Sequence, residues 1–315
     1  MSTKLSRRDA LNLGFVLGAL TLVGGAALVP VRVNAQTAAP ALPYIPHAVK
    51  APDGVVLNVQ ERGKRDGPAI LFIHGGQQSQ LSWARQVSDP LLLANFRLVT
   101  YDLRGHGMSD KPLGEAFYKN GKVWADDLAA VIKALGLTRP TVVNWSYGGR
   151  VFGDYLREYG ASQIGAVNFV AAVMSGADRT RFGPGIAFLA PATSTDLATY
   201  VKGSVDFLRA CFVQQPSAAD FETMVAYNMM VPRNVRMDMV FRANDFDAVL
   251  AALKVPVLVT HGELDSVILP SMGRWIVSQV PNSTGSFYTG AGHSPFWEDA
   301  PRFNRELAEL ARRAS

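Results

Sequence analysis

Six short runs rich in β-branched and aliphatic residues punctuate the chain: AILFIHGG, FRLVTYDLRG, TVVNWS, IGAVNFVAAV, VPVLVTHG and TGSFYTGAGH. Several are continuously apolar, the pattern of strands covered on both faces in a parallel sheet. Between them, apolar positions recur at helical spacing. KVWADDLAAVIKALGL predicts a helix stopped by Gly136, and RVFGDYLREY and SMGRWIVSQV predict two more. PRFNRELAELARR opens with proline in its first turn and ends basic, as helices do. Strand–helix alternation of this kind predicts an α/β fold, a mostly parallel doubly wound sheet with helices on both faces.

Residues 176–245 break the rhythm. They hold no parallel-strand run, are rich in Phe, Met and Ala, and include FETMVAYNMMV, which suits an amphipathic helix. They read as a helical cap inserted into a core formed by residues 47–175 and 246–315.

The first residues have another pattern. A basic start is followed by an apolar stretch of Ala, Gly and Leu and then by Val33-Asn34-Ala35. That order marks residues 1–35 as a secretory signal peptide. Arg7-Arg8 within SRRDAL resembles a twin-arginine signal, with Ala10 where an aromatic is usual. The expectation is an exported bacterial protein, periplasmic or secreted, handled by the twin-arginine export machinery and without a stable membrane span after processing. QTAAPALPYIP, residues 36–46, reads as a Pro/Ala linker without structure of its own.

Charge and cysteine content exclude several classes. Of the net charge of +5, residues 1–35 carry +3, so the remainder has no basic excess suited to nucleic acid. The single cysteine, Cys211, can form neither an internal disulfide nor a cysteine-cluster metal site. The five histidines are dispersed, and RGHGMSD lacks the third glycine of a dinucleotide loop. No cofactor and no metal are expected.

The chemistry converges on Ser146, which follows an apolar strand and precedes Gly148-Gly149 and a helix. A hydroxyl becomes a nucleophile when a base takes its proton. A sharp strand-to-helix corner lifts it toward that base and aims backbone N–H groups at the developing oxyanion. Small residues are wanted two positions before and after the serine. Gly148 meets the second condition, and Asn144 stands at the first. Asn144 is expected to be accommodated at the strand end, its amide bonded to a nearby backbone group. Downstream, Asp265 follows one strand and His293 another, in the order Ser, Asp, His. In that arrangement His293 takes and returns the serine proton, and Asp265 orients the imidazole. Glu263 is the rival acid, while Glu298 and Asp299 read as fixing the histidine loop or capping the last helix. The oxyanion donors are expected to be the backbone N–H groups of Tyr147 and Gly76, with Gln77 in reserve. His74 and His261 read as structural.

FIHGG, YDLRGHGMSDKP, NWSYGG, HGELD and GAGHSPFWEDAP, in this order over about residues 50–312, resemble the α/β-hydrolase superfamily. The resemblance is to its capped branch of esterases, lactonases, haloperoxidase-like enzymes, C–C hydrolases, epoxide hydrolases and dehalogenases. It implies the α/β-hydrolase fold, a structural role for Asp102, Arg104 and Ser109, and a departure at Asn144. The epoxide hydrolases and dehalogenases of this family carry aspartate at the elbow, so serine favours carbonyl substrates. The expected activity is hydrolysis of a small, fairly apolar carboxylic ester or lactone. A C–C hydrolase, a cofactor-free perhydrolase and a ligand-binding protein on the same fold remain alternatives. In the cap, Phe182, Phe188, Phe207, Phe212, Phe221, Met224, Met229 and Met230 suit either an apolar acyl pocket or the cap's own core. Trp145 either shapes the pocket or packs under the elbow.

Overall fold

The computed structural model describes residues 43–240, 242 and 246–314. The signal-peptide reading of residues 1–35 and most of the linker lie outside the described residues. Among the described residues no helix is long and apolar enough to cross a membrane.

The chain enters the sheet through a hairpin, β1 (Ile45–Lys50) and β2 (Val56–Gly63). Neither strand is anticipated from the apolar runs, and β1 takes the last two residues of the expected linker, Ile45 and Pro46. The reason is physical. β1 is an edge strand, exposed along most of its length, so its sequence need not be apolar. An edge also tolerates Pro46, which lacks an N–H to donate. In β2 the period-2 pattern of Leu57 and Val59 is interrupted by Glu61, which is buried. Arg97, Arg65 and His47 surround that carboxylate, so a charged residue occupies an inward position.

The six apolar runs all form strands: β3 (Ala69–Ile73), β4 (Arg97–Tyr101), β5 (Thr141–Trp145), β6 (Ala166–Val170), β7 (Val257–Gly262) and β8 (Ser283–Tyr288). The sheet order is β1-β2-β4-β3-β5-β6-β7-β8. β2 pairs antiparallel with β1 and β4, and every other pairing is parallel. β3, β5, β6 and β7 are buried throughout; β3 is unbroken apolar, and the other three bury Thr141, Asn144, Asn168, Thr260 and His261 among their apolar residues. Chain direction across the sheet reverses between β3 and β5. Such a switch point opens a crevice at the carboxyl ends of the strands, where ligands of α/β sheets bind.

Helices cover both faces. Between β3 and β4 lie α1 (Ala84–Val87) and α2 (Pro90–Asn95); α3 (Gly121–Ala134) follows β4, and α4 (Tyr147–Tyr159) follows β5. Between β6 and β7 come short 3-10 turns at 179–193, then α5 (Leu197–Ala210), α6 (Ala218–Met229), α7 (Arg233–Val240) and α8 (Asp247–Ala251). α9 (Pro270–Gln279) links β7 to β8, and α10 (Pro295–Glu298) and α11 (Ala300–Arg312) end the chain. α3 packs on α4, α4 on α8 and α8 on α9, while α11 packs on α1, α2 and α10. Within the 176–242 segment, the described residues form no strand; one isolated bridge, Phe182 to Ile268, ties it to the loop after β7.

Candidate active site

The end of β5 turns directly into α4 at Ser146, whose backbone has φ 54° and ψ −115°. A positive φ is uncommon for a residue with a side chain and recurs where function imposes strain. Gly148 is required by the same corner: a Cβ there would lie 2.7 Å from the carbonyl oxygen of Ile73.

Asn144 answers differently from expectation. It lies inside β5, paired with Ile73 and Phe169, and is not among the residues of positive φ. Its side chain is fully buried, yet neither Nδ2 nor Oδ1 has a hydrogen-bond partner. The expected bond to nearby backbone is therefore absent. Both neighbouring strands spend their backbone groups on the ladder, which leaves none for the amide. Because position 144 keeps extended angles, glycine's conformational freedom is not needed there.

Asp265 and His293 meet. Both are buried, and His293 Nδ1–H donates to Asp265 Oδ2 at 2.8 Å. Oδ1 accepts from the backbone N–H groups of Val267 (2.8 Å) and Ile268 (3.0 Å). His261 adds a contact that the sequence reading missed, with Nε2 3.1 Å from Oδ2 and 2.8 Å from the carbonyl oxygen of Ile268. The signal was present in HGELD, where His261 and Asp265 are four residues apart. Burial alone would push the Asp265 carboxyl up. The nearby charge of His293 and the hydrogen bonds from His261 and His293 overcome this and hold it well below the usual carboxylate range.

The other face of His293 is uncommitted: Nε2 is buried without a hydrogen-bond partner. Ser146 thus makes no hydrogen bond to it in this structure, a common state of ligand-free sites whose bonds tighten on binding. Trp145 links the two residues. Its indole N–H donates to the His293 carbonyl oxygen at 2.8 Å, and its ring centroid lies 5.6 Å from the imidazole. A Cβ on Gly75 would come within 3.1 Å of the same ring. Trp145 is therefore buried beneath the elbow and does not line the cavity.

The rival acid Glu263 lies elsewhere, paired with Arg274 at 2.6 Å. Glu298 holds the histidine loop, accepting from the N–H groups of Gly292 (2.8 Å), Val213 (2.9 Å) and Gln214 (2.7 Å). Asp299 caps α11.

The loop after β3 brings Gly76 beside Tyr147: a Cβ on Gly76 would lie 3.4 Å from that of Tyr147. The reserve donor is already used, because Gln77 N–H donates to His106 Nε2 at 3.2 Å. Tyr147 also reaches away from the elbow. Its hydroxyl donates to the Met239 carbonyl oxygen (3.1 Å) and accepts from Arg242 Nε (2.7 Å). Asp102 accepts from Asn58, Gln80 and Met108, and Arg104 forks onto Asp127, so this loop is built as scaffold.

A cavity of about 150 Å³ adjoins the elbow. Its walls include Gly76, Ser146 and Tyr147 and are otherwise mostly apolar, with Phe182, Phe207 and Met239. The cap phenylalanines and methionines thus divide: Phe182 and Phe207 face the cavity, Phe212 and Met224 are buried in the core, Phe221 and Met229 are half-buried, and Phe188 and Met230 are exposed. No cluster that could hold a metal ion occurs among the described residues.

Residues 68–300 match the family model of the alpha/beta hydrolase fold. A bifunctional esterase/perhydrolase of Acinetobacter calcoaceticus is 28% identical over 278 residues, covering 84% of this chain and 99% of that one. A solved structure from Burkholderia cenocepacia, a suspected aryl esterase, superposes with a TM-score of 0.82 at 36% identity, over 86% of this chain and 99% of that one. An esterase of Rhodococcus sp. gives a TM-score of 0.78 at 31% identity, over 86% and 99%. With its sheet order, its serine corner and its buried Asp–His pair, the chain belongs to the α/β-hydrolase family.

Proposed function

We propose that this α/β hydrolase cleaves a small, fairly apolar carboxylic ester or lactone through an acyl-enzyme on Ser146. The observation that carries the reading is the state of His293, with Nδ1–H committed to Asp265 and Nε2 free of partners. In the proposed cycle Nε2 takes the proton of Ser146 as its oxygen attacks the carbonyl carbon. The N–H groups of Gly76 and Tyr147 receive the oxyanion. The imidazolium, stabilised by ionised Asp265, returns the proton to the departing alkoxide. Water then repeats the attack with His293 as base, releasing the acid and restoring Ser146. The cavity volume supports a small group, since an apolar cavity of about 150 Å³ accommodates benzene.

A fluorophosphonate probe should label wild-type protein on Ser146. Short-chain p-nitrophenyl esters should be turned over by wild type and not by Ser146→Ala. Equal turnover by both proteins would overturn the reading.

A second reading, perhydrolysis of the same acyl-enzyme by peroxide, is favoured by the Acinetobacter relative, which carries both activities in its name. Peracid formation from an ester and hydrogen peroxide, abolished in Ser146→Ala, is its test. Export through the twin-arginine route rests on Arg7-Arg8 and the apolar stretch that follows. Replacing both arginines with lysine should keep the protein in the cytoplasm.

A further inference from the structure

Gln77 sits next to the proposed oxyanion donor Gly76, in a left-handed conformation with φ 63°. It is 2% exposed, and it lines the cavity with Ser146. Its backbone N–H is taken by His106. Its side-chain Oε1 accepts from Arg236 Nη1 at 2.7 Å. A guanidinium has no acceptor, so the amide cannot be turned over: oxygen must face Arg236 and Nε2 must point away from it. Nε2 carries two N–H groups and has no acceptor, although it is buried. Natural structures rarely leave such a donor orphaned, and an orphan of this kind calls for a specific explanation.

Arg236 holds the amide in place. It is fully buried on α7 and binds Ser204 Oγ (2.7 Å), the Asn228 carbonyl oxygen (2.6 Å) and the Val231 carbonyl oxygen (3.1 Å). The Tyr200 ring lies 4.6 Å from its guanidinium carbon. No carboxylate is among its described partners. A full cation bonded to Oε1 polarises the amide and strengthens donation from Nε2. Three segments, α5, α6 and α7, thus orient one side chain of the loop after β3.

We propose that the Gln77 amide is a substrate-binding donor that selects acyl groups carrying an oxygen acceptor on the carbon next to the reacting carbonyl. This rests on the ester-hydrolase reading above. The oxyanion is assigned to Gly76 and Tyr147, so Nε2 serves a different oxygen. Gln77 directly follows Gly76, so that oxygen belongs close to the reacting carbon. A short α-alkoxy acyl chain has such an atom and remains compact enough for the cavity.

The test compares kcat/KM for p-nitrophenyl methoxyacetate and p-nitrophenyl butyrate, which differ by an ether oxygen in place of a methylene. Each value is divided by the ester's hydroxide-catalysed rate. Gln77→Glu keeps an acceptor for Arg236 and removes the donor, and Gln77→Met removes both; thermal unfolding checks that each variant folds. Wild type should prefer the methoxyacetate, and the preference should fall about tenfold in both variants, the change expected of one lost hydrogen bond. A normalised wild-type preference of one, or a folded variant that keeps the wild-type ratio, would overturn the inference and leave ester hydrolysis standing. Turnover of neither ester by wild type would remove both.

Discussion

Two acid–histidine clusters lie at strand ends of this sheet. One, after β3 and β4, contains Asp102, His74 and His106; the other, at the ends of β7 and β8, contains His261 within β7, Asp265 after it and His293 after β8. In the first, all four imidazole nitrogens are engaged. His74 uses Nδ1 on the Gly75 carbonyl oxygen and Nε2 on Leu103 N–H, and His106 uses Nδ1 on the Arg104 carbonyl oxygen and Nε2 on Gln77 N–H. In the second, His293 Nε2 and His261 Nδ1 have no partner. His261 Nδ1 faces Gly273, where a Cβ would lie 2.7 Å away, so no room is left there for a reacting group. His293 Nε2 is the nitrogen left for chemistry. The difference separates scaffold from site by spare bonding capacity; burial does not distinguish them, since all four histidines are buried.

The strongest test of that distinction is on catalysis. On the proposed mechanism, His293→Ala should lower kcat by about 10⁶, and Asp265→Asn by about 10⁴, the losses known for serine triads. His74→Asn and His106→Asn should act on stability, with residual kcat in the folded fraction much closer to wild type. Burst kinetics with a p-nitrophenyl ester, alongside thermal unfolding, would separate the two outcomes. If His106→Asn were as inactive as His293→Ala while fully folded, the comparison would fail.

A smaller effect is expected at Trp145, which precedes Ser146 and bonds the backbone of His293. Trp145→Phe keeps an aromatic ring and removes the N–H that holds the His293 carbonyl oxygen. About a tenfold loss in kcat with little change in KM is expected, in keeping with one lost hydrogen bond. A change confined to KM would contradict the positioning role.

The scaffold cluster has its own signature in pH. Burial pushes the His106 imidazole well below its ordinary value, and burial likewise lowers His74. Both therefore bind protons less readily in the fold than in the unfolded chain, which takes them up below about pH 6.5. Stability from these groups is therefore full above that pH and is lost as the pH falls, with a slope that is at most about 1.4 kcal/mol per pH unit for each group and is steeper for His106 than for His74. Denaturant unfolding at pH 7 and pH 5.5 should show this slope, reduced in His106→Gln. Asp265 is also shifted down, but there the charged form is the one favoured, so it stays ionised over that interval and contributes no slope to it.

The smallest effect is expected at Asn144. Its unpartnered amide carries a desolvation cost of about 1–3 kcal/mol, against the loss of packing when it is cut back. Asn144→Ala should therefore change stability by less than about 1 kcal/mol despite complete burial, as read by chemical denaturation. A large loss would mean that the amide has a partner after all.

What could be read from the sequence follows the same physics. The buried central strands β3, β5, β6 and β7 declared themselves because cover on both faces keeps their sequences mainly apolar, with few polar positions to confuse the pattern. β1 and β2 stayed hidden because an edge strand need not be apolar and because Glu61 is buried by ion pairing. Ser146, Asp265 and His293 were legible as residues in order. Their partners were not: the Trp145 contact joins residues 148 positions apart, and the Gln77–Arg236 bond spans 159. His261 stands in the HGELD motif, but only the fold brings its Nε2 onto Asp265.

Glu298 has a consequence for anyone who would exchange the region between α5 and α6 for another. From α10 its carboxylate grips three backbone N–H groups, at 213, 214 and 292, so this part of the join is made to main chain; the Gln214 side chain adds a longer bond to the Gly290 carbonyl oxygen. The grip on main chain excludes proline at 213 and 214, because proline has no N–H to give, whatever other side chains an exchanged segment brings.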